Sequence, residues 1–237
     1  MNIIFPEGVT FDLRYLSIYD TNPEDIPTDL KYALAKQPRT IYDSDIDTSN
    51  VTDASHLYDD CNSLVRVPMM NFSNVKKMEF TFQYCYKLVS IPQFDTSNVR
   101  TFYNCFNYCN SLVTIPELNF SSATNVSSMF VGCDTLRSIP LLDFGKVTDI
   151  TSLFGWSDIK TLTDLGGFKN LKTNFTNGLN HLPNLTIQSL MNVINNLYDF
   201  RANGESTTRT LQLGATNLNK LTDDQKAVAT NKGWSLT

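Results

Sequence analysis

From residue 47 onward the apolar positions recur on two periods, one of three to four residues and one of 24. In "NVRTFYNCFNYCNSL" (98–112), Val99, Phe102, Cys105, Phe106, Cys109 and Leu112 step by three or four, the spacing of one helical face. The polar run Asp95-Thr96-Ser97-Asn98 precedes it, with side chains able to cap the free N–H groups of a helix start. Val113-Thr114-Ile115 then forms a short β-favouring run. Pro116 ends it, because proline has no amide to donate to a ladder. Each unit is therefore predicted to hold a short helix followed by a short strand.

The longer period is exact over four copies: "CNSLVRVP" (61–68), "CYKLVSIP" (85–92), "CNSLVTIP" (109–116) and "CDTLRSIP" (133–140). The same interval of 24 links Tyr58, Phe82, Phe106, Phe130 and Phe154. It also links Val51, Val75, Val99, Ala123 and Val147, and then Ala54, Met78, Phe102, Val126 and Ile150. One residue drops out near Ile159, where Leu162 takes the place of the repeated isoleucine. A unit of this length falls in the leucine-rich-repeat range of about 20–29 residues. Such a unit cannot close its own core, so it must stack on its neighbours.

The fold class predicted is α/β, a leucine-rich-repeat solenoid of 24-residue helix-plus-short-strand coils with atypical caps at both ends. Residues 47–168 hold five repeats. Residues 1–46 break the period and form an N-terminal cap or a docking segment, with short strands at Ile3–Phe5 and Val9–Phe11 and a helix from Asn22 through Ala35. Residues 169–237 are divergent repeats and a C-terminal cap continuous with the same stack. There a helix is predicted over Ser189–Leu197, a strand over Thr210–Leu213 and a last strand over Trp234–Thr237. Thr222-Asp223-Asp224-Gln225 reads as a capping box, opening a helix to Asn231 that Gly233 stops.

The period also explains the cysteines. Cys61, Cys85, Cys109 and Cys133 share one position of every coil, and Cys105 shares another with Leu57, Met129 and Leu153. All five are predicted to be reduced packing residues. Asp47, Asn71, Asp95, Asn119 and Asp143 alternate acid and amide, which relieves carboxylate repulsion across a step of about 4.8 Å. The 47–68 and 95–116 units resemble each other more than either resembles 71–92, as a 48-residue duplication would leave them.

Composition narrows the function. Hydrophobic residues are 41% and charged residues 18%, a globular balance, and the net charge is −5. That charge argues against a nucleic-acid-binding face, and no apolar stretch approaches the roughly 18–20 residues that span a bilayer. The start, Met-Asn-Ile-Ile-Phe-Pro-Glu-Gly, lacks the parts of a classical secretory signal. His56 falls at a variable repeat position and His181 in a turn, so neither is expected to activate a cysteine. Cys105 and Cys109 supply half of a zinc site and no second cluster completes it. Asp59-Asp60, Asp149 and Asp158 follow no calcium-loop spacing, and no phosphate loop or nucleophile elbow occurs. No catalytic, cofactor or metal residue is expected. Candidate contacts are the outward strand positions Arg66, Ser90, Thr114 and Ser138, and the tyrosines Tyr84, Tyr86, Tyr103 and Tyr108. Tyrosine gives large, rigid, amphipathic contact area.

The pattern "MFVGCDTLRSIP" has an aromatic three residues before Cys, Leu three after it and Ile-Pro beyond. It resembles the BspA-like leucine-rich repeats. The openings "DTSNVT" and "DTSNVR" are similar to those of related surface proteins of gut and oral anaerobes and of mycoplasmas. The tail, from "SLMNVINNLYDF" to the end, is similar to ends of such proteins from Bacteroidales and their phages. The resemblance covers about 47–237 and implies a non-enzymatic interaction or adhesion module, binding other proteins or host-cell surface ligands. The missing signal favours a phage virion component, such as a fibre, capsid decoration or receptor-binding protein. A bacterial surface adhesin and an intracellular scaffold are the alternatives. A carbohydrate-active enzyme would need a carboxylate pair in a cleft, which an even repeat face does not offer.

Overall fold

The computed structural model describes residues 11–12, 48–155 and 159–237. The strand expected at Ile3–Phe5 and the helix expected from Asn22 through Ala35 lie outside the described residues. Phe11, the end of the other expected strand, falls in β1 (Phe11–Asp12), which pairs in parallel with β2 (Val51–Asp53).

From β2 onward each coil is joined to the next by parallel backbone pairing. One ladder runs Asp53, Lys77, Thr101, Asn125, Asp149, and another links Arg66 to Ser90 and Thr114 to Ser138. The pairing widens into two-residue strands further on. There β3 (Ser138–Ile139) and β4 (Leu142–Asp143) lie parallel to β5 (Asp164–Leu165) and β6 (Phe168–Lys169).

The helical half of the expected repeat is not a helix. Between Ala54 and Cys61 the amides divide by parity. Those of Leu57, Asp59 and Cys61 reach back three residues to Ala54, His56 and Tyr58 at 3.1–3.2 Å. Those of Ala54, His56, Tyr58 and Asp60 cross to the carbonyls of Lys77, Glu79, Thr81 and Gln83 at 2.8–2.9 Å. The geometry needs left-handed backbone twice per coil. It occurs at His56 and Asp60, Phe80 and Tyr84, Asn104 and Tyr108, Ser128 and Gly132, with φ between 52° and 72°. An α-helix would satisfy these amides within itself and leave the neighbouring coil none. The three-to-four spacing thus marks an inward face without specifying helical hydrogen bonds.

The repeated columns fill the interior. Tyr58, Phe82, Phe106, Phe130 and Phe154 stack coil on coil, with ring centroids 5.5, 5.5, 5.8 and 5.9 Å apart. Such pairs contribute roughly 0.5–1.5 kcal/mol each beyond their area burial. All five cysteines are buried, and none forms a disulfide. The thiols of Cys85, Cys109 and Cys133 donate to the carbonyls of Tyr58, Phe82 and Phe106, each at 3.1 Å. Burial pushes these three thiols, and that of Cys105, above the ordinary range.

The acid–amide column acts within each coil. The side-chain oxygens of Asn71, Asp95, Asn119 and Asp143 accept from the amides of Ser73, Ser97, Ser121 and Gly145 at 3.0–3.1 Å. Aspartate and asparagine both make this turn, so either fits the position.

Among the described residues, α-helices appear only beyond the repeats. α1 (Ile187–Asn196) starts at Thr186, whose hydroxyl accepts from the amide of Ser189 at 3.1 Å. β7 (Arg209–Leu211) follows, then α2 (Gly214–Leu218), which the sequence pattern did not predict. α3 (Asp223–Asn231) carries the expected capping box of Thr222 and Gln225. β8 (Trp234–Leu236) pairs in parallel with β7. Lys232 crosses from the end of α3 and donates to the carbonyls of Ile194 and Asn195 at 3.2 and 2.5 Å, tying the two longer helices together.

Candidate interaction surface

Column 60, 84, 108, 132 places Asp60, Tyr84, Tyr108 and Gly132 on successive coils, all with left-handed backbone. Aspartate and glycine are ordinary tenants of that conformation, whereas tyrosine there is strained by about 1–2 kcal/mol. The Tyr84 and Tyr108 rings lie 5.5 Å apart, and Tyr86 joins them 6.0 Å from Tyr84. Tyr108 continues over Gly132, where an added Cβ would meet its ring at 2.7 Å. Gly132 is thereby required twice, by its φ and by the ring lying on it.

The trio faces water. Tyr86 is 41% and Tyr108 43% exposed, and Tyr84 is half-buried between them. The Tyr86 hydroxyl is held above its ordinary pKa, first by partial desolvation and then by Tyr84, Asp60 and Tyr108. Tyr103, the fourth candidate, does not join this cluster. Its ring meets Phe80 edge-on at 5.0 Å, and Phe80 in turn stacks on His56 at 4.5 Å. The reason is register, since 103 lies one residue before the left-handed position at 104.

The strand candidates do line up. Arg66, Ser90 and Thr114 are exposed, Ser138 is half-buried, and the Ser138 hydroxyl donates to that of Thr114 at 3.0 Å. Beside them Val65, Val89 and Val113 are also exposed, at 38, 40 and 36%. This apolar row was missed in the sequence, although its 24-residue spacing was visible, because valine in a β-favouring run reads as core.

The chemistry-bearing residues are accounted for by structure. His56 Nδ1 lies 2.8 Å from Asp59 Oδ2, and the column cysteines face inward against carbonyls. Among the described residues no three His, Cys, Asp or Glu side chains gather into a metal-ligating group. None of the described helices is long and apolar enough to cross a membrane.

Coil-to-coil pairing, columns repeated every 24 residues and a surface of repeated outward positions define a repeat protein. The chain belongs to the family described as "Mycoplasma protein of unknown function, DUF285", whose model matches residues 28–139 and again 52–168, together more than half the chain. The two matches begin at 28 and 52, one repeat unit apart, so the family pattern fits this chain in two registers of its own period. No curated protein and no solved structure matches it significantly.

Proposed function

We propose that this chain is a non-enzymatic recognition module, a BspA-like leucine-rich-repeat solenoid that binds a protein partner through the face of Tyr84, Tyr86 and Tyr108. The observation that carries this reading is the placement of Tyr84 and Tyr108 at left-handed positions where Asp60 and Gly132 stand in the neighbouring coils. Each of these coils needs a left-handed residue there, and where aspartate or glycine fits with little strain the two middle coils keep tyrosine, as a site held for function would. Exposed, mutually packed tyrosines are also the usual anchors of protein interfaces. The apolar row Val65, Val89, Val113 extends the contact area along the coils.

Two settings fit such a module: a virion component that attaches to or decorates a particle, and an adhesin on a cell surface. The test is binding of the purified protein to intact gut-anaerobe cells and, separately, its incorporation into phage particles, for wild type, Tyr86→Ala and Tyr108→Gly. The reading expects at least tenfold weaker cell binding or incorporation in both variants, with thermal stability of Tyr108→Gly unchanged or raised. Full binding by both variants overturns the tyrosine face. Saturable cell binding supports the adhesive or receptor-binding role, and incorporation without cell binding supports decoration.

A further inference from the structure

Three cations gather at the junction between the repeats and the C-terminal region of a chain whose net charge is −5. Lys146 follows the turn capped by Asp143, Lys172 lies one coil further on, and Arg209 opens β7. They line one open groove of about 540 Å³, together with Thr148 and Asn174. A second groove of about 510 Å³ shares Gly145, Lys146 and Lys172 with it and adds Asp143, Asn170 and Tyr198. Neither groove includes any of the clustered tyrosines.

Arg209 and Lys172 are held but not neutralised. Arg209 Nε donates to the carbonyl of Lys172 at 3.0 Å, and its guanidinium lies 5.8 Å from the Phe200 ring centroid. With a longer bond of 3.4 Å from Nη1 to the carbonyl of Thr208, those contacts fix the planar fork, and Nη2 has no acceptor among the described residues. Lys172 Nζ sits 4.0 Å over the Tyr198 ring. The neighbouring Lys169 is paired with Asp143 at 3.8 Å, whereas no carboxylate of the described residues lies within ion-pair reach of Lys146, Lys172 or Arg209. A fixed guanidinium flanked by two ammonium groups is a receptor for a planar oxyanion.

The rest of the lining selects the carrier. Asp143 and the amide of Asn170 accept or donate to hydroxyl groups, and the Tyr198 ring offers an aromatic face. A DNA phosphodiester backbone brings anionic groups without hydroxyls for Asp143 to accept from, while a hydroxyl-rich ring bearing a carboxylate brings both. Each groove also falls within the volume range of small-molecule sites, roughly 300–1,000 Å³. We propose that this double groove binds an acidic polysaccharide, with a sugar carboxylate at Lys146, Lys172 and Arg209 and sugar hydroxyls at Asp143 and Asn170. This site is independent of the tyrosine face, and either can fail without the other.

The test is titration of the full chain with trigalacturonic acid, followed by calorimetry at 50 mM and 300 mM salt, beside its methyl ester and a short single-stranded oligonucleotide. Saturable binding by the free acid is expected, at least tenfold weaker in Lys146→Ala/Lys172→Ala and at the higher salt, and unchanged in Tyr108→Gly. Lys146 and Lys172 are exposed, so the double variant is expected to fold, and an unchanged melting curve checks this. Arg209→Lys, which keeps the charge and loses the fork, is expected to weaken binding severalfold. No binding of the acid, equal binding of the methyl ester, full binding by the double variant, or tighter binding of the oligonucleotide would each overturn the proposal.

Discussion

Between Phe102 and Tyr108 the amides of alternate residues leave their own coil for the next one, whereas between Ile187 and Asn196 they stay within one helix. Both segments carry apolar residues at steps of three and four, and both bury them. What differs is the residue between. In the repeats Asn104 and Tyr108 take positive φ, and each such residue turns its amide toward the neighbouring coil. In α1 the hydroxyl of Thr186 caps the start, and the chain has no left-handed residue before its end. A repeat coil is thus stabilised from outside, by the coils on either side, while α1 and α3 also carry their own hydrogen bonds.

The comparison is broken most severely by a charge in the repeat column. Cys109→Asp buries a carboxylate where Cys109 is fully enclosed, and it is expected to abolish cooperative thermal unfolding of the repeats. A melting temperature within a few degrees of wild type would refute the inward column. Next is alkaline pH. Cys85, Cys105, Cys109 and Cys133 have folded-state pKa values raised above 9.0 by burial, so their contribution is present below the unfolded value and lost as pH rises through it. Each thiol is expected to remove about 1.4 kcal/mol per pH unit above that point. Every cysteine lies in the repeats, so circular dichroism against pH should show them opening before α1 and α3; a flat profile to pH 11 would contradict this.

Glycine sharpens the contrast by sign. Ser128→Gly removes a left-handed non-glycine residue and is expected to stabilise the protein by about 1 kcal/mol, while Ala227→Gly in α3 is expected to destabilise it by about the same amount. Chemical denaturation of the two variants reads this directly, and equal signs would undo the contrast. The smallest effect is at Asp95. Its carboxyl is held below 3.8 by the Ser97 hydroxyl and then the Ser97 amide, so its contribution is present above that pH and lost as pH falls through the folded value. Asp95→Asn keeps the turn acceptor and is expected to move the acid unfolding midpoint slightly downward; an upward shift would argue against the turn.

Much of the interior was legible along the chain. The cysteine, phenylalanine and valine columns could be read because identical positions in every coil meet identical neighbours, and the capping box at Thr222 is a local signature. The candidate surface was legible only in part. Tyr84, Tyr86 and Tyr108 come together and Tyr103 turns away to Phe80, a difference that depends on one residue of register relative to the left-handed positions. The groove of Lys146, Lys172 and Arg209 was not legible, because Arg209 lies 37 residues beyond Lys172 and outside the period.

The sequence by itself determined the 24-residue unit, the residues that face inward and the capping box of α3, because period and local hydrogen bonding are written in adjacent residues. Only the tertiary structure decided that the apolar half of each repeat is a left-handed turn ladder and not a helix. That choice belongs to the neighbouring coil, whose carbonyls at 77, 79, 81 and 83 draw the amides of 54, 56, 58 and 60 out of any helix they would otherwise close.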